Sequence, residues 1–219
     1  SGHRINSAAD DAAGLAISES MRTQIRSYVV AERNASDAIS MTQTAEGALG
    51  EMHSILGRLR ELAMQGSNGS MTATDRGYLS TEFSALQAEM TRIQASSKFN
   101  GKSLLSATAS SLTFQVGLNN TASDKVTLTF GGLGLTTLLA ATTNLSGAGT
   151  TASLTALGRI DSALATISTS RARFGAAMNR FEVVTSSIQT MRLNLSAANS
   201  RIRDVDVAEE TSALARNQV

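Results

Sequence analysis

Apolar residues recur along most of this chain at alternating steps of three and four. The clearest run is Ala35, Ala38, Thr42, Ala45, Leu49, Met52, Leu56, Leu59 and Ala63, a heptad a/d seam sustained over about four heptads. Glycine is the only breaker between residues 10 and 66. The spacing therefore predicts one helix of about 55 residues, roughly 80 Å long. Small residues at 35, 38 and 45 let a partner helix come close. Upstream, Leu15, Ile17, Met21, Ile25 and Val29 extend an apolar face less regularly. Gly66-Ser67-Asn68-Gly69-Ser70 then reads as a turn. Thr72 with Asp75 three residues on has the form of a capping box. A second helix follows, with the seam Leu79, Phe83, Leu86, Met90 and Ile93, and ends before Asn100-Gly101. Two long helices across a short loop predict an antiparallel pair.

Residues 103–152 change period. Leu112, Phe114 and Val116 alternate with polar residues, as do Val126, Leu128 and Phe130. Asn119–Asp124 lies between them, so the segment predicts a β-hairpin with a longer loop. Phe114 and Phe130 are expected on one face, packed onto the helices. From about Ser153 the helical period returns for the rest of the chain, through Leu157, Ile160, Leu164, Ile167, Arg171, Phe174, Met178, Phe181, Thr185, Ile188, Arg192, Leu195, Asn199 and Ile202. Arg171, Arg192 and Asn199 interrupt that seam. A charge at a seam position is costly in an isolated coiled coil, so Arg171 and Arg192 are candidate intersubunit contacts.

The pattern defines a mainly α chain: an elongated bundle of three long helices, two N-terminal and antiparallel and one long and C-terminal, with a small β-hairpin region in the middle. Residues 1–105 and 151–219 are the helical parts of one rod domain, and 106–150 a short region between them. No internal repeat suggests a solenoid.

Composition sharpens this picture. The 219 residues include no proline, cysteine or tryptophan, and aromatics make up 4%. Usual usage would supply about eleven prolines; their absence permits uninterrupted helices. Few aromatics suit narrow helix seams better than a thick core. Absence of cysteine excludes disulfides, thiolate zinc sites and a cysteine nucleophile. A net charge of +1 is no footprint for nucleic acid, and no stretch has the run of about 20 apolar residues that a membrane span needs. Ser1 in place of Met, and a final stretch Ala213–Val219 without a helix stop signal, lead to the expectation of a core fragment that stays monomeric.

Candidate chemistry is sparse. His3 and His53 lack a partner at metal-ligand spacing, so no metal or cofactor is expected. Gly131-Gly132-Leu133-Gly134 reads as a turn rather than a phosphate loop, because no lysine follows it. Asp10-Asp11 complements a helix N-terminus. Glu209-Glu210 reads as a solvated or intersubunit face. None of these predicts an enzyme.

Whole segments carry a family likeness. Arg4-Ile5-Asn6-Ser7-Ala8-Ala9-Asp10-Asp11-Ala12-Ala13-Gly14, Arg33-Asn34-Ala35-Ser36-Asp37, Phe99-Asn100-Gly101-Lys102-Ser103, Arg171-Ala172-Arg173-Phe174-Gly175 and Asn194-Leu195-Ser196-Ala197-Ala198-Asn199-Ser200-Arg201-Ile202-Arg203-Asp204-Val205-Asp206 closely resemble bacterial flagellins, in order, over roughly residues 1–105 and 155–219. The resemblance implies a structural subunit that polymerises into the extracellular flagellar filament for motility, exported without a cleaved signal peptide. Its implied partners are other flagellin subunits, an export chaperone, and the cap and hook-junction proteins. It also implies a surface for the animal Toll-like receptor that senses flagellin. The matching segment is Arg58-Leu59-Arg60-Glu61-Leu62-Ala63, and the resemblance assigns Arg58, Leu62 and Glu82 to it. Gly57 stands where many members carry Gln, and Met64 where Val is common. A cell-surface receptor or adhesin using residues 106–150 for a ligand is the alternative reading.

Overall fold

The computed structural model describes residues 3–135, 140, 143–146, 149–205 and 207–219, apart from the side chains of 209, 210 and 213. Asp206 and the side chains of the acidic pair Glu209-Glu210 thus lie outside the described residues. Helix α1 spans Ala12–Gly66 and α2 spans Ala73–Ser96. Four short strands follow: β1 (Lys98–Phe99), β2 (Lys102–Ser103), β3 (Ser110–Gln115) and β4 (Lys125–Phe130). Helix α3 runs over Thr151–Arg203 and α4 over Val207–Gln218. The strands form two separate two-stranded sheets, β1 with β2 and β3 with β4.

The described chain forms two compact units. The first comprises Ser1–Ser36, Phe114–Val126 and Phe181–Val219, and the second Asp37–Thr113 and Thr127–Arg180. Both units take their residues from distant parts of the sequence.

In the second unit the a/d seam of α1 is the core. Leu49, Met52, Leu56, Leu59 and Ala63 are all fully buried, as is polar Thr42, whose hydroxyl donates to Ala38 O at 2.7 Å. Phe83 and Met90 of α2 are equally buried, while Leu79, Leu86 and Ile93 are half-buried. On α3, Ile160, Ile167 and Phe174 are buried, spaced seven apart as a strict heptad repeat requires. Phe130 of β4 packs on Phe174, ring centroids 5.4 Å apart.

The reversal between α1 and α2 is held by one buried cation. Arg76 is 3% exposed. Its Nε donates to Gly66 O at 2.9 Å, satisfying a carbonyl that the end of α1 leaves without a helical partner, and its Nη2 donates to Asn68 O in the turn at 3.2 Å. The capping box is complete. Asp75 N donates to Thr72 Oγ1 at 3.2 Å, and Thr72 N to Asp75 Oδ2 at 3.0 Å. The Asp75 carboxyl is held below its ordinary range, first by the Thr72 hydroxyl and then by the Thr72 backbone. A carboxylate with a depressed folded pKa adds stability above its unfolded pKa and loses it as pH falls through the folded value. Thr72→Ala removes the helix cap and is expected to cost about 1 kcal/mol at neutral pH. Urea denaturation of wild type and variant should show the gap narrowing below about pH 4.

The sequence reading missed the β1–β2 hairpin. Lys98 faces Ser103 and Phe99 faces Lys102 across a two-residue Asn100-Gly101 turn, with φ of 46° and 77°. Asn-Gly is the preferred pair where both turn residues need positive φ. The flanking strands of two residues each are too short for alternation to reveal. Gly131, at φ 72°, closes the β4 end. Its N–H donates to Leu104 O at 2.9 Å, and a Cβ there would lie 2.6 Å from Thr108 O.

The first unit holds the start of α1, the tip of the β3–β4 hairpin, the end of α3, and α4. Its core includes Ile5, Ala31, Val116, Val126, Phe181 and Ile188. Phe114 meets Phe181 edge-on, centroids 5.5 Å apart at 86°, a favoured aromatic geometry. Both hairpin phenylalanines thus pack on α3, at positions seven apart. Residues 119–123 of the intervening loop are exposed.

Two expectations need correction in this unit. Ile17 is 49% exposed, and the buried position beside it is Ser18. The seam passes through the small residue because Asn199 of α3 reaches its backbone, Nδ2 donating to Ser18 O at 2.7 Å. Nor does the C-terminal helix run unbroken: α3 stops at Arg203 and α4 begins at Val207. The N-terminal segment takes up the carbonyls freed there. Arg4 N donates to Arg203 O at 2.7 Å and Arg4 Nη2 to Ile202 O at 2.8 Å. His3 lies beside Asp204, Nδ1 to Oδ1 3.1 Å. The Ser200 hydroxyl, then His3, holds the Asp204 carboxyl below its ordinary range.

At the head of α1, Asp11 is the helix cap and Asp10 closes the turn that precedes it. Asp10 Oδ2 accepts from Ser7 N at 2.9 Å and from Asn6 N at 3.1 Å, and Asp11 Oδ1 from Gly14 N at 2.9 Å.

Candidate functional site

The residues assigned by resemblance lie in the second unit, on α1 and α2. The Gly66–Thr72 turn folds α2 back so that Glu82 reaches Arg58. Arg58 Nε donates to Glu82 Oε1 at 2.8 Å, and its Nη1 to Glu61 Oε2 at 2.9 Å. Both carboxylates, Glu82 foremost, raise the Arg58 pKa above its already high ordinary value, so the guanidinium is a permanent cation. Arg58, Glu61 and Glu82 remain 50%, 68% and 45% exposed. The second acid, Glu61, belongs to the matched segment but was not singled out there. A guanidinium held between two carboxylates in water presents oriented donors and acceptors.

Leu62 does not join this surface. It is 1% exposed, packed inward next to Leu59 and Ala63 of the seam. The i, i+4 relation to Arg58 places the two on neighbouring rows, but the boundary between core and solvent runs between them. The exposed apolar neighbour is Met64, at 52%. At Gly57, a Cβ would meet nothing within 4 Å.

Arg171 and Arg192 find partners inside the chain. In the second unit Arg171 binds Glu46 Oε1 through Nε at 3.0 Å and Nη2 at 2.7 Å. In the first, Arg192 Nη1 donates to Glu32 Oε2 at 2.6 Å, and Gln189 Nε2 to Glu32 Oε1 at 2.8 Å. Both arginines keep part of their surface in solvent, 41% and 35%. A charge at a seam position is tolerated here because the facing helix supplies an acid beside the seam. Arg60 with Asp161 (2.9 Å) and Arg203 with Glu19 (3.0 Å) repeat the arrangement. Gln87 is buried because its Nε2 donates to Thr143 O at 3.0 Å, a link between distant segments that no local pattern announces.

Among the described residues no helix is long and apolar enough to cross a membrane, and no group of His, Asp or Glu side chains is placed to hold a metal ion. Long helices whose charges tie one helix to the next define a structural helical protein. The family model for the bacterial flagellin N-terminal helical region matches residues 1–110, and that for the C-terminal helical region matches residues 157–219. A flagellin of Halalkalibacterium halodurans is 43% identical over 219 residues, covering all of this chain and 80% of the relative. The flagellar filament core protein flaB2 of Brachyspira hyodysenteriae is 40% identical over 232 residues, covering all of this chain and 81% of its own. The crystal structure of Bacillus cereus flagellin superposes with a TM-score of 0.61 at 32% identity, over 76% of this chain and 94% of that one. The chain belongs to the bacterial flagellin family, and with it to the structural subunits of the flagellar filament.

Proposed function

We propose that the chain works purely as a building element, joining copies of itself through the outer faces of its long helices, and that it catalyses no reaction. The observation carrying this is a set of large apolar side chains left in solvent in the first unit: Val183 at 70%, Leu193 at 68%, Val30 at 54% and Ile17 at 49%. Several large apolar side chains left in solvent on one unit support contact with another protein surface. Arg192, partly in solvent beside Glu32 of the same unit, supports such a contact there, and Arg171, partly in solvent beside Glu46, supports one on the second unit. The test is complementation of a bacterium lacking its own flagellin. Val183→Asp with Leu193→Asp is expected to abolish filaments in electron micrographs while the exported protein keeps its helical circular dichroism. Filaments of normal length would reject the proposed contact surface.

The family likeness supports further partners: an export chaperone, the cap and hook-junction proteins, and export without a cleaved leader. It also supports a surface for the flagellin-sensing Toll-like receptor, made here of Arg58 and Glu82 with Glu61, and with Leu62 supporting it from below. Arg58→Ala is expected to weaken receptor signalling at least about tenfold, as loss of an arginine anchor does at other interfaces. A reporter titration of wild type and variant checks this. An unchanged titration rejects the assignment.

A further inference from the structure

In the second unit the charged side chains sort into two sets. Nearly all are engaged. Arg58, Arg60, Arg92 and Arg171 pair with carboxylates, Arg76 spans the turn carbonyls, and Arg159 donates to the Thr143 hydroxyl. Glu46, Glu61, Glu82, Glu89 and Asp161 are the acids of those pairs, and Asp75 closes its capping box. Apart from the two lysines of the β1–β2 hairpin, four charges remain among the described residues without an ion pair or side-chain hydrogen bond. They are the acids Asp37 and Glu51 on α1 and the arginines Arg173 and Arg180 on α3, and all four are exposed.

Their positions are regular. Asp37 and Glu51 each lie two residues past a buried seam position, Ala35 and Leu49. Arg173 and Arg180 each lie two past Arg171 and Met178 of the α3 seam. Two residues turn a helix by about 200°, so all four point away from the seams. Each like-charged pair falls on one row of its own helix. The acids are roughly 21 Å apart along α1 and the arginines roughly 10.5 Å apart along α3. A lone exposed charge is satisfied by water and asks for no partner. Here the unpaired helix charges of the unit are divided by sign, acids on α1 and arginines on α3.

The geometry points to a contact between two copies of this chain in which the Arg173/Arg180 row of one copy meets the Asp37/Glu51 row of the next. This inference rests on the polymerising role argued above and specifies one of its contacts. Unlike patches that attract one another can make a heterologous contact, which propagates into an open helical polymer where the rotation does not close into a ring. Charge complementarity of this kind fixes register and suppresses misdocking. The two spacings differ by about 10 Å, or roughly 5 Å at each end, which long arginine stems span.

Charge reversal tests the contact in full-length protein made by a flagellin-null bacterium, with filament length read by electron microscopy and shed monomer read in the medium. No intrachain partner is lost, so melting curves of the shed protein should match wild type. Arg173→Glu with Arg180→Glu, and separately Asp37→Arg with Glu51→Arg, should each shorten filaments at least about tenfold, with folded monomer accumulating outside the cell. Combining all four exchanges should restore length to within about threefold of wild type. Normal filaments from either double variant overturn the contact, as does a fourfold variant no better than the doubles. If the wild type itself builds no filaments, the polymerising role falls and this contact falls with it.

Discussion

Phe181→Ala is expected to destabilise the first unit by about 3–5 kcal/mol. Phe181 is fully buried, so truncation removes an aromatic side chain and leaves a cavity that long, stiff helices close poorly. It also removes the edge-on ring contact with Phe114, worth about 0.5–1.5 kcal/mol beyond burial and already inside that range. For a chain of this length the loss corresponds to a melting temperature lower by roughly 6–20 °C. Chemical denaturation measures the size. Hydrogen exchange locates it, with lost protection expected first at residues 114–126 and at the end of α3. A cost below about 1 kcal/mol would mean that the hairpin tip does not depend on this helix face.

In the second unit Leu56→Ala is expected to cost about 2–5 kcal/mol. Leu56 is fully enclosed, as are its seam neighbours Met52 and Leu59, and none has a flexible edge that could fill the space. Leu157→Ala is the natural comparison. Leu157 is only half-buried, whereas Ile160 one turn on is fully enclosed. Its truncation should therefore cost clearly less than that of Leu56. Equal losses in urea denaturation would show that the two seams are packed to the same depth, contrary to the structure.

What could be read from sequence follows from which forces are periodic. The α1 seam from Ala35 to Ala63 was legible to the residue because burial along a helix repeats with the helix. The β3–β4 hairpin was legible because burial on a strand alternates. Thr72 with Asp75 was legible because a cap is satisfied within four residues. Arg76 was not, since its burial comes from carbonyls of the preceding turn and not from a periodic apolar position; nor were Gln87 and Ser18, since each meets a hydrogen-bond partner from a segment that local spacing does not place nearby. The end of α3 at Arg203 was hidden for the same reason: the groups that receive its last carbonyls come from Arg4. At the candidate site, Arg58 and Glu82 were legible through family likeness. The inward turn of Leu62 was not, because neighbouring rows of a helix differ by only about 40° between positions i and i+4. That angle is enough to cross from solvent into the core.

The hydrogen bonds from Arg4 to Ile202 and Arg203 join positions separated by 198 residues or more. The cost of closing a loop grows with its length, and contacts of high sequence separation form late. A chain delivered end first, from either direction, therefore holds the first unit open until both Arg4 and residues 202–203 have arrived. The second unit contains the α1–α2 pair, whose partners are near in sequence, and can begin to organise sooner. The chain thus carries its own timing: the unit with most of the exposed large apolar side chains among the described residues is completed after the α1–α2 pair has begun to form.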